Sequence, residues 1–258
     1  MSPNAELPSV RTLEAVTFDC WNTLLYEENW HASHALRVAE LHRVATEAGY
    51  TVTPEEAARA FDVGWSRHME LWRDEQATGA LEVARWSLET LGIEPHRIGF
   101  DDLVEHWQQA SHAHVEALDG SRLVLQRLRS LGLRTALICD TGLTPGRVVR
   151  RHLERNGLLE LLDAQIFSDE VGVPKPDARI FHAAIASLCT SADRCVHVGD
   201  LRRTDVAGGR GVGMGTVRLR ARFDDLEALP DADAVADTHA HLGTLLGLES
   251  RETPGPDG

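Results

Sequence analysis

Cys195-Val196-His197-Val198-Gly199-Asp200, continued by Leu201-Arg202-Arg203-Thr204-Asp205, reads as a buried strand that ends on a glycine and delivers two acids at its carboxyl end. Functional residues of open α/β sheets gather at that end. Working backwards, helical and strand patterns alternate: SRLVLQRLRSLG helical, LRTALICD strand, PGRVVRRHLERNG helical, AQIFSD strand, DARIFHAAIASL helical. GTVRLR follows as one more strand, and Leu13–Asp19 (LEAVTFD) is a short buried strand that again closes on an acid. Such alternation predicts the α/β class, a parallel sheet with right-handed crossovers that also takes in the first strand.

Residues 28–117 interrupt this pattern with long helix-compatible segments and five of the six tryptophans. Thr53-Pro54-Glu55-Glu56 has the cap residue, the first-turn proline and the reciprocal glutamate of a helix start, so an insert of about four helices is predicted, one beginning near Pro54. Segments 1–11 and 250–258 lack periodicity and read as flexible tails.

A chain of 258 residues, 43% hydrophobic, can bury one elaborated domain or a core with a smaller second one. Its formal net charge of -14 argues against a sequence-independent grip on nucleic acid or anionic lipid and favours a small-molecule substrate. No stretch approaches the roughly 18 apolar residues of a membrane span, and a cytoplasmic chain, monomer or homodimer, is expected. Cys20, Cys139, Cys189 and Cys195 form no Cys-x-x-Cys pair and read as reduced thiols.

Taken alone, Asp19 after an apolar run is as well explained by a helix cap or a loop acid. Asp200 and Asp205 change that reading, since three carboxylates at one sheet edge would repel one another without a hard cation, for which Mg²⁺ is the usual occupant. Beside such a cation an aspartate can act as a nucleophile on phosphorus. Lys175, between Pro174 and Pro176, is aimed by its neighbours and would hold a carboxylate ionised and offset phosphoryl charge, though a plain loop lysine fits the same residues. The second proline is expected in the first turn of the helix that follows. Cys139-Asp140-Thr141 ends another strand, where a helix N-terminus could meet an anion or where turn chemistry alone suffices.

These stretches together resemble the haloacid dehalogenase-like hydrolase superfamily, over about Leu13 to Leu248. VGVPKPDARIF and HVGDLRRTDVAGGRGVGMGTV resemble its third and fourth motifs almost without gaps. The resemblance implies a Rossmann-like core (12–27 and 118–249) with a helical cap (28–117) inserted after the first strand. It also implies Asp19 as nucleophile, Lys175 as the lysine of the third motif, and Asp19, Asp200, Asp205 and the Trp21 main-chain carbonyl as Mg²⁺ ligands, with Cys139 and Asp140 at the phosphate-binding strand end.

Two positions depart from that pattern. Trp21 stands where the family's phosphatases keep an aspartate that protonates the leaving group, help worth roughly 10²–10⁴-fold. Cys139 replaces a serine or threonine with a weaker hydrogen-bond donor. The expected activity is Mg²⁺-dependent hydrolysis of a small phosphorylated metabolite through an aspartyl-phosphate. Two alternatives stay open: a 2-haloacid dehalogenase or other non-phosphate hydrolase, since the family's dehalogenases carry an aromatic at the Trp21 position, and a catalytically impaired member that binds a ligand. Asp200 weighs against the dehalogenase, which lacks that acid and needs no metal. In the insert, Trp30, Arg37, Arg67, His68, Arg85 and Trp86 are candidates either for substrate contact or for packing between helices.

Overall fold

A computed structural model describes residues 13–110 and 115–249; the predicted tails lie outside these. In chain order the elements are β1 (Ala15–Phe18), β2 (Leu25–Glu27), α1 (Trp30–Glu47), α2 (Pro54–Arg73), α3 (Ala80–Thr90), α4 (Phe100–Gln109) and β3 (Val115–Ala117). Then come α5 (Ser121–Ser130), β4 (Arg134–Cys139), α6 (Gly146–Arg155), β5 (Ala164–Phe167), α7 (Ser168–Val171), α8 (Ala178–Ser187) and β6 (Cys195–Gly199). The chain ends in α9 (Ala207–Gly211), β7 (Gly215–Leu219), β8 (Ala234–Ala236) and α10 (His239–Leu245).

Six strands form a fully parallel sheet in the order β5-β4-β1-β6-β7-β8, while β2 and β3 pair with each other. Strands covered on both faces need apolar residues at nearly every position rather than alternate ones. β1 and β6 meet that demand, with every residue buried. On one face, Ala15, Ala136 and Ile138 from the strands meet Ile180, Phe181 and Ala184 of α8, each large aliphatic or aromatic side chain contributing roughly 1.5–3 kcal/mol. The sheet is the α/β, Rossmann-like core expected from the alternation. β8 and α10 extend it beyond the strands that alternation marks.

The sheet order runs outward from β1 in both directions, to β4 and β5 on one side and to β6 and β7 on the other. A crevice at the strands' carboxyl ends opens where connections diverge in this way. Asp19 follows β1 and Asp200 follows β6, so the fold delivers both acids to that point.

By proximity the chain forms two compact units. One takes the described residues through Tyr26, Glu116–Asp140 and those from Leu153 onward; the other takes Glu27–Val115 and Thr141–His152. The second unit is helical, built on α1 to α4. Its core gathers Leu41, Phe61, Val83, Leu88, Leu103 and Trp107, and includes Leu143 from the 141–152 segment. α2 starts with the expected reciprocal cap: the Glu56 N–H donates to Thr53 Oγ1 (3.2 Å) and the Thr53 N–H to Glu56 Oε2 (2.8 Å). Among the described residues, no helix is long and apolar enough to cross a membrane.

Candidate active site

Asp19, Lys175, Asp200 and Asp205 converge at the carboxyl edge of β1 and β6, all within the first unit and all nearly inaccessible to solvent. The Asp19 N–H donates to the Val198 carbonyl (2.8 Å), which carries the β1–β6 ladder one residue past β1 and fixes where the carboxylate starts. Lys175 Nζ lies between two acids, donating to Asp19 Oδ1 (2.5 Å) and Asp205 Oδ1 (2.7 Å). The loop carrying it is held by Asp140, whose Oδ1 accepts the Lys175 N–H at 2.8 Å. Pro176 does not enter the helix: Asp177 caps α8 by accepting from the Arg179 N–H (2.8 Å), leaving both prolines in the loop that aims the lysine.

Asp205 is the most densely bound acid. Its Oδ1 also accepts from His197 Nε2 (3.0 Å), and its Oδ2 accepts from the Leu201 N–H (3.1 Å) and Thr204 Oγ1 (3.4 Å). It sits on a π-turn over Arg202–Val206, in which the Val206 N–H reaches back to the Leu201 carbonyl (3.2 Å), a widening common at functional sites. Gly199 makes room for it. A Cβ built there would lie 2.2 Å from Asp205 Cγ, so the glycine at the end of β6 is required by the acid six residues beyond.

The electrostatics follow from burial. Burial pushes the Asp19 carboxyl up to about 7, with Lys175 opposing and Asp205 adding to the rise. Burial also holds Asp200 well above the carboxylate range, reinforced by Asp19 and Asp205. For Lys175, burial alone would favour the neutral amine, but Asp19, Asp205 and Asp140 hold the ammonium above its ordinary range. For Asp205, Lys175 and His197 outweigh burial and hold the carboxyl low. Three carboxyls thus share one ammonium. Their ligand oxygens lie within 4.8 Å of one another, an all-oxygen set suited to a hard divalent cation, whose charge would reverse the upward shifts.

The sequence-predicted positions at the edge of this cluster take other surroundings. Trp21 is half-buried, in a tight loop where its backbone bridges to Leu25. The Cys139 thiol is inaccessible and donates to the Asp140 carbonyl (3.4 Å); burial and hydrogen bonding with Cys20 push its pKa up. Asp140, expected at the phosphate, has an oxygen on the lysine loop.

Three further residues at the site are given no role by the sequence alone. Asn22 adopts a left-handed backbone (φ 59°), which asparagine tolerates better than most residues, and its Nδ2 donates to Asp200 Oδ2 at 3.4 Å. His197 and Thr17 lie behind Asp205, with Thr17 Oγ1 and His197 Nδ1 2.8 Å apart. The asparagine directly after the acid-bearing loop is a turn signal in the sequence; a threonine and a histidine inside strands carry none.

In the second unit the singled-out side chains pack on one another. The Trp30 and Trp65 rings lie 5.3 Å apart, Trp65 stacks on His68 at 4.9 Å, and Arg67 covers Trp86 at 4.7 Å. Arg37 is buried, donating from Nε to the Trp107 carbonyl (3.0 Å) while Trp107 Nε1 donates to the Arg37 carbonyl (2.9 Å). Burial lowers the His68 imidazole to about 4, so it is neutral.

This fold and site are those of a known class. The chain belongs to the haloacid dehalogenase-like hydrolases, whose family model matches residues 13–213, and it is a hydrolase. It is 34% identical to mouse haloacid dehalogenase-like hydrolase domain-containing protein 3 over 54% of this chain and 55% of that protein. It is 26% identical to the glyceraldehyde 3-phosphate phosphatase of Methanopyrus kandleri over 86% of this chain and 90% of that enzyme. Among solved structures, a haloacid dehalogenase-type phosphatase from Thermococcus onnurineus shares the fold, with a TM-score of 0.65, 22% identity and coverage of 94% of this chain and 100% of that one.

Proposed function

We propose that this chain is a Mg²⁺-dependent phosphatase of a small phosphorylated metabolite, in which Asp19 is the nucleophile and residues 28–117 act as a substrate-selecting helical cap. The observation that carries the reading is the placement of Lys175 Nζ on Asp19 Oδ1 and Asp205 Oδ1, with Asp200 completing an oxygen cluster at the edge of the sheet. Asp19, Asp200, Asp205 and the Trp21 carbonyl would hold the Mg²⁺. When bound, that ion neutralises phosphoryl oxygens and fixes the line of attack.

The chain's own residues then divide the work. Lys175 favours the ionised form of Asp19 and offsets charge on the phosphoryl group. An Asp19 oxygen bonds to phosphorus as the phosphorus–oxygen bond to the leaving alcohol breaks, giving an aspartyl-phosphate that water hydrolyses to free Asp19 and phosphate. The departing oxygen needs a proton, and the Trp21 indole carries no acid for it. Turnover is therefore expected to be low for poor leaving groups and higher for acidic ones.

A screen of phosphomonoesters that includes glyceraldehyde 3-phosphate, run with and without Mg²⁺, tests the reading. Phosphate release that needs Mg²⁺ and vanishes in Asp19→Asn is the expected result. Release that survives Asp19→Asn would overturn it, and metal-independent halide release from 2-haloacids would replace it with the dehalogenase.

A further inference from the structure

We propose that His197, set by Thr17, is a positioning residue for the metal and lysine cluster: it fixes the rotation of the Asp205 carboxylate that Lys175 and the divalent ion share. The role rests on the phosphatase reading only for its effect on turnover; the geometry stands apart from it.

β1 and β6 are paired in parallel with Thr17 opposite His197, so the two side chains share a face of the sheet two residues before Asp19 and three before Asp200. Both are buried, and the imidazole packs against Phe181 in a T-shaped contact at a centroid distance of 5.1 Å. Hydrogen-bond direction then follows from chemistry. A carboxylate only accepts, so the nitrogen facing Asp205 Oδ1, Nε2 at 3.0 Å, carries the proton. In a neutral ring Nδ1 must accept, and the group facing it is the Thr17 hydroxyl at 2.8 Å, which donates. Thr17 therefore selects the tautomer that His197 needs.

Without His197, Asp205 Oδ1 keeps only Lys175 as a side-chain donor, and the carboxylate, still held through Oδ2 by the Leu201 N–H and Thr204 Oγ1, loses the bond that sets its rotation on the Oδ1 side. A shift on that side would carry Lys175 Nζ away from Asp19. Partners of this kind, one step removed from a metal, are worth 10–100-fold in metal affinity or activity.

The test uses Mg²⁺ itself, titrated by calorimetry into the full-length protein, alongside phosphomonoester kinetics. His197→Leu is expected to weaken Mg²⁺ binding and lower kcat, each by about 10–100-fold, with KM little changed. His197→Gln, whose amide nitrogen can replace Nε2 as donor, is expected to restore most of both. A folded His197→Leu with wild-type Mg²⁺ affinity overturns the proposal, as does a folded His197→Gln no better than His197→Leu. Should His197→Leu fail to fold, Thr17→Val and the imidazole ¹⁵N spectrum of the wild type decide. The wild-type spectrum must show a protonated Nε2 and a bare Nδ1, and Thr17→Val must weaken Mg²⁺ binding; the opposite tautomer or unchanged binding overturns it. If the wild type shows no phosphatase activity, the proposed function fails while Mg²⁺ binding and the spectrum still decide the role of His197.

Discussion

The two halves of the strand-end site are built to different tolerances. In the half around Lys175 the charged side chains are buried and the lysine and Asp205 are multiply bound: Lys175 has two acids, and Asp205 accepts from a lysine, a histidine, a backbone amide and a hydroxyl. At Cys139 and Trp21 the side chains are uncharged, and the thiol makes only weak hydrogen bonds. A buried charge that loses its partner costs several kcal/mol, whereas exchanging uncharged side chains of similar volume usually costs less than about 1.5 kcal/mol. The fold itself therefore guards the first half and leaves the second open to change. That is where this chain departs from the phosphatase pattern.

Lys175→Met should break the comparison most severely. It leaves Asp19 and Asp205 facing each other without the ammonium, and removing one partner of a buried ion pair costs about 3–5 kcal/mol. The expected outcome is loss of activity together with a lower midpoint in thermal unfolding followed by circular dichroism. A variant that keeps wild-type stability would mean that the acids are not stabilised through the lysine.

Trp21→Asp sharpens the comparison from the other side. It supplies a carboxyl where the leaving group needs a proton, and a gain of about 10²-fold or more in kcat is expected if that acid is what limits turnover. Unfolding should change little, since the residue is only half-buried and belongs to no buried ion pair. An unchanged kcat on unactivated phosphomonoesters would show that Trp21 is matched to other chemistry.

The same division explains what could be read from the chain alone. Asp19, Asp200 and Asp205 were legible because each follows or lies just beyond a short, mostly apolar strand that is buried throughout, and Lys175 because prolines fix its loop. Thr17 and His197 were not: within a strand each looks like any other residue, and their meeting depends on a β1–β6 register between segments 180 positions apart. The grouping of Thr141–His152 with the helical unit was hidden for a similar reason. Its sequence continues the strand-helix alternation of the core, and only the packing of Leu143 against the insert's apolar side chains shows the assignment. β8 has three residues, too few for any periodicity to register.

Cys139→Ser is the mildest change and the finest probe of the weaker half. A hydroxyl donates a stronger hydrogen bond than a thiol, and a neutral bond of this kind is worth about 0.5–1.5 kcal/mol net. If residue 139 meets the phosphoryl group, that gain appears as a KM lowered by roughly 2–10-fold with kcat nearly constant. The smaller side chain also gives up contact with Cys20 and some apolar burial, so a slight loss of thermal stability should accompany it. Steady-state kinetics on one phosphomonoester separates the outcomes: a lowered KM places the strand end at the substrate. An unchanged KM would leave Cys139 a packing residue and assign the anion's grip to Lys175 and the metal alone.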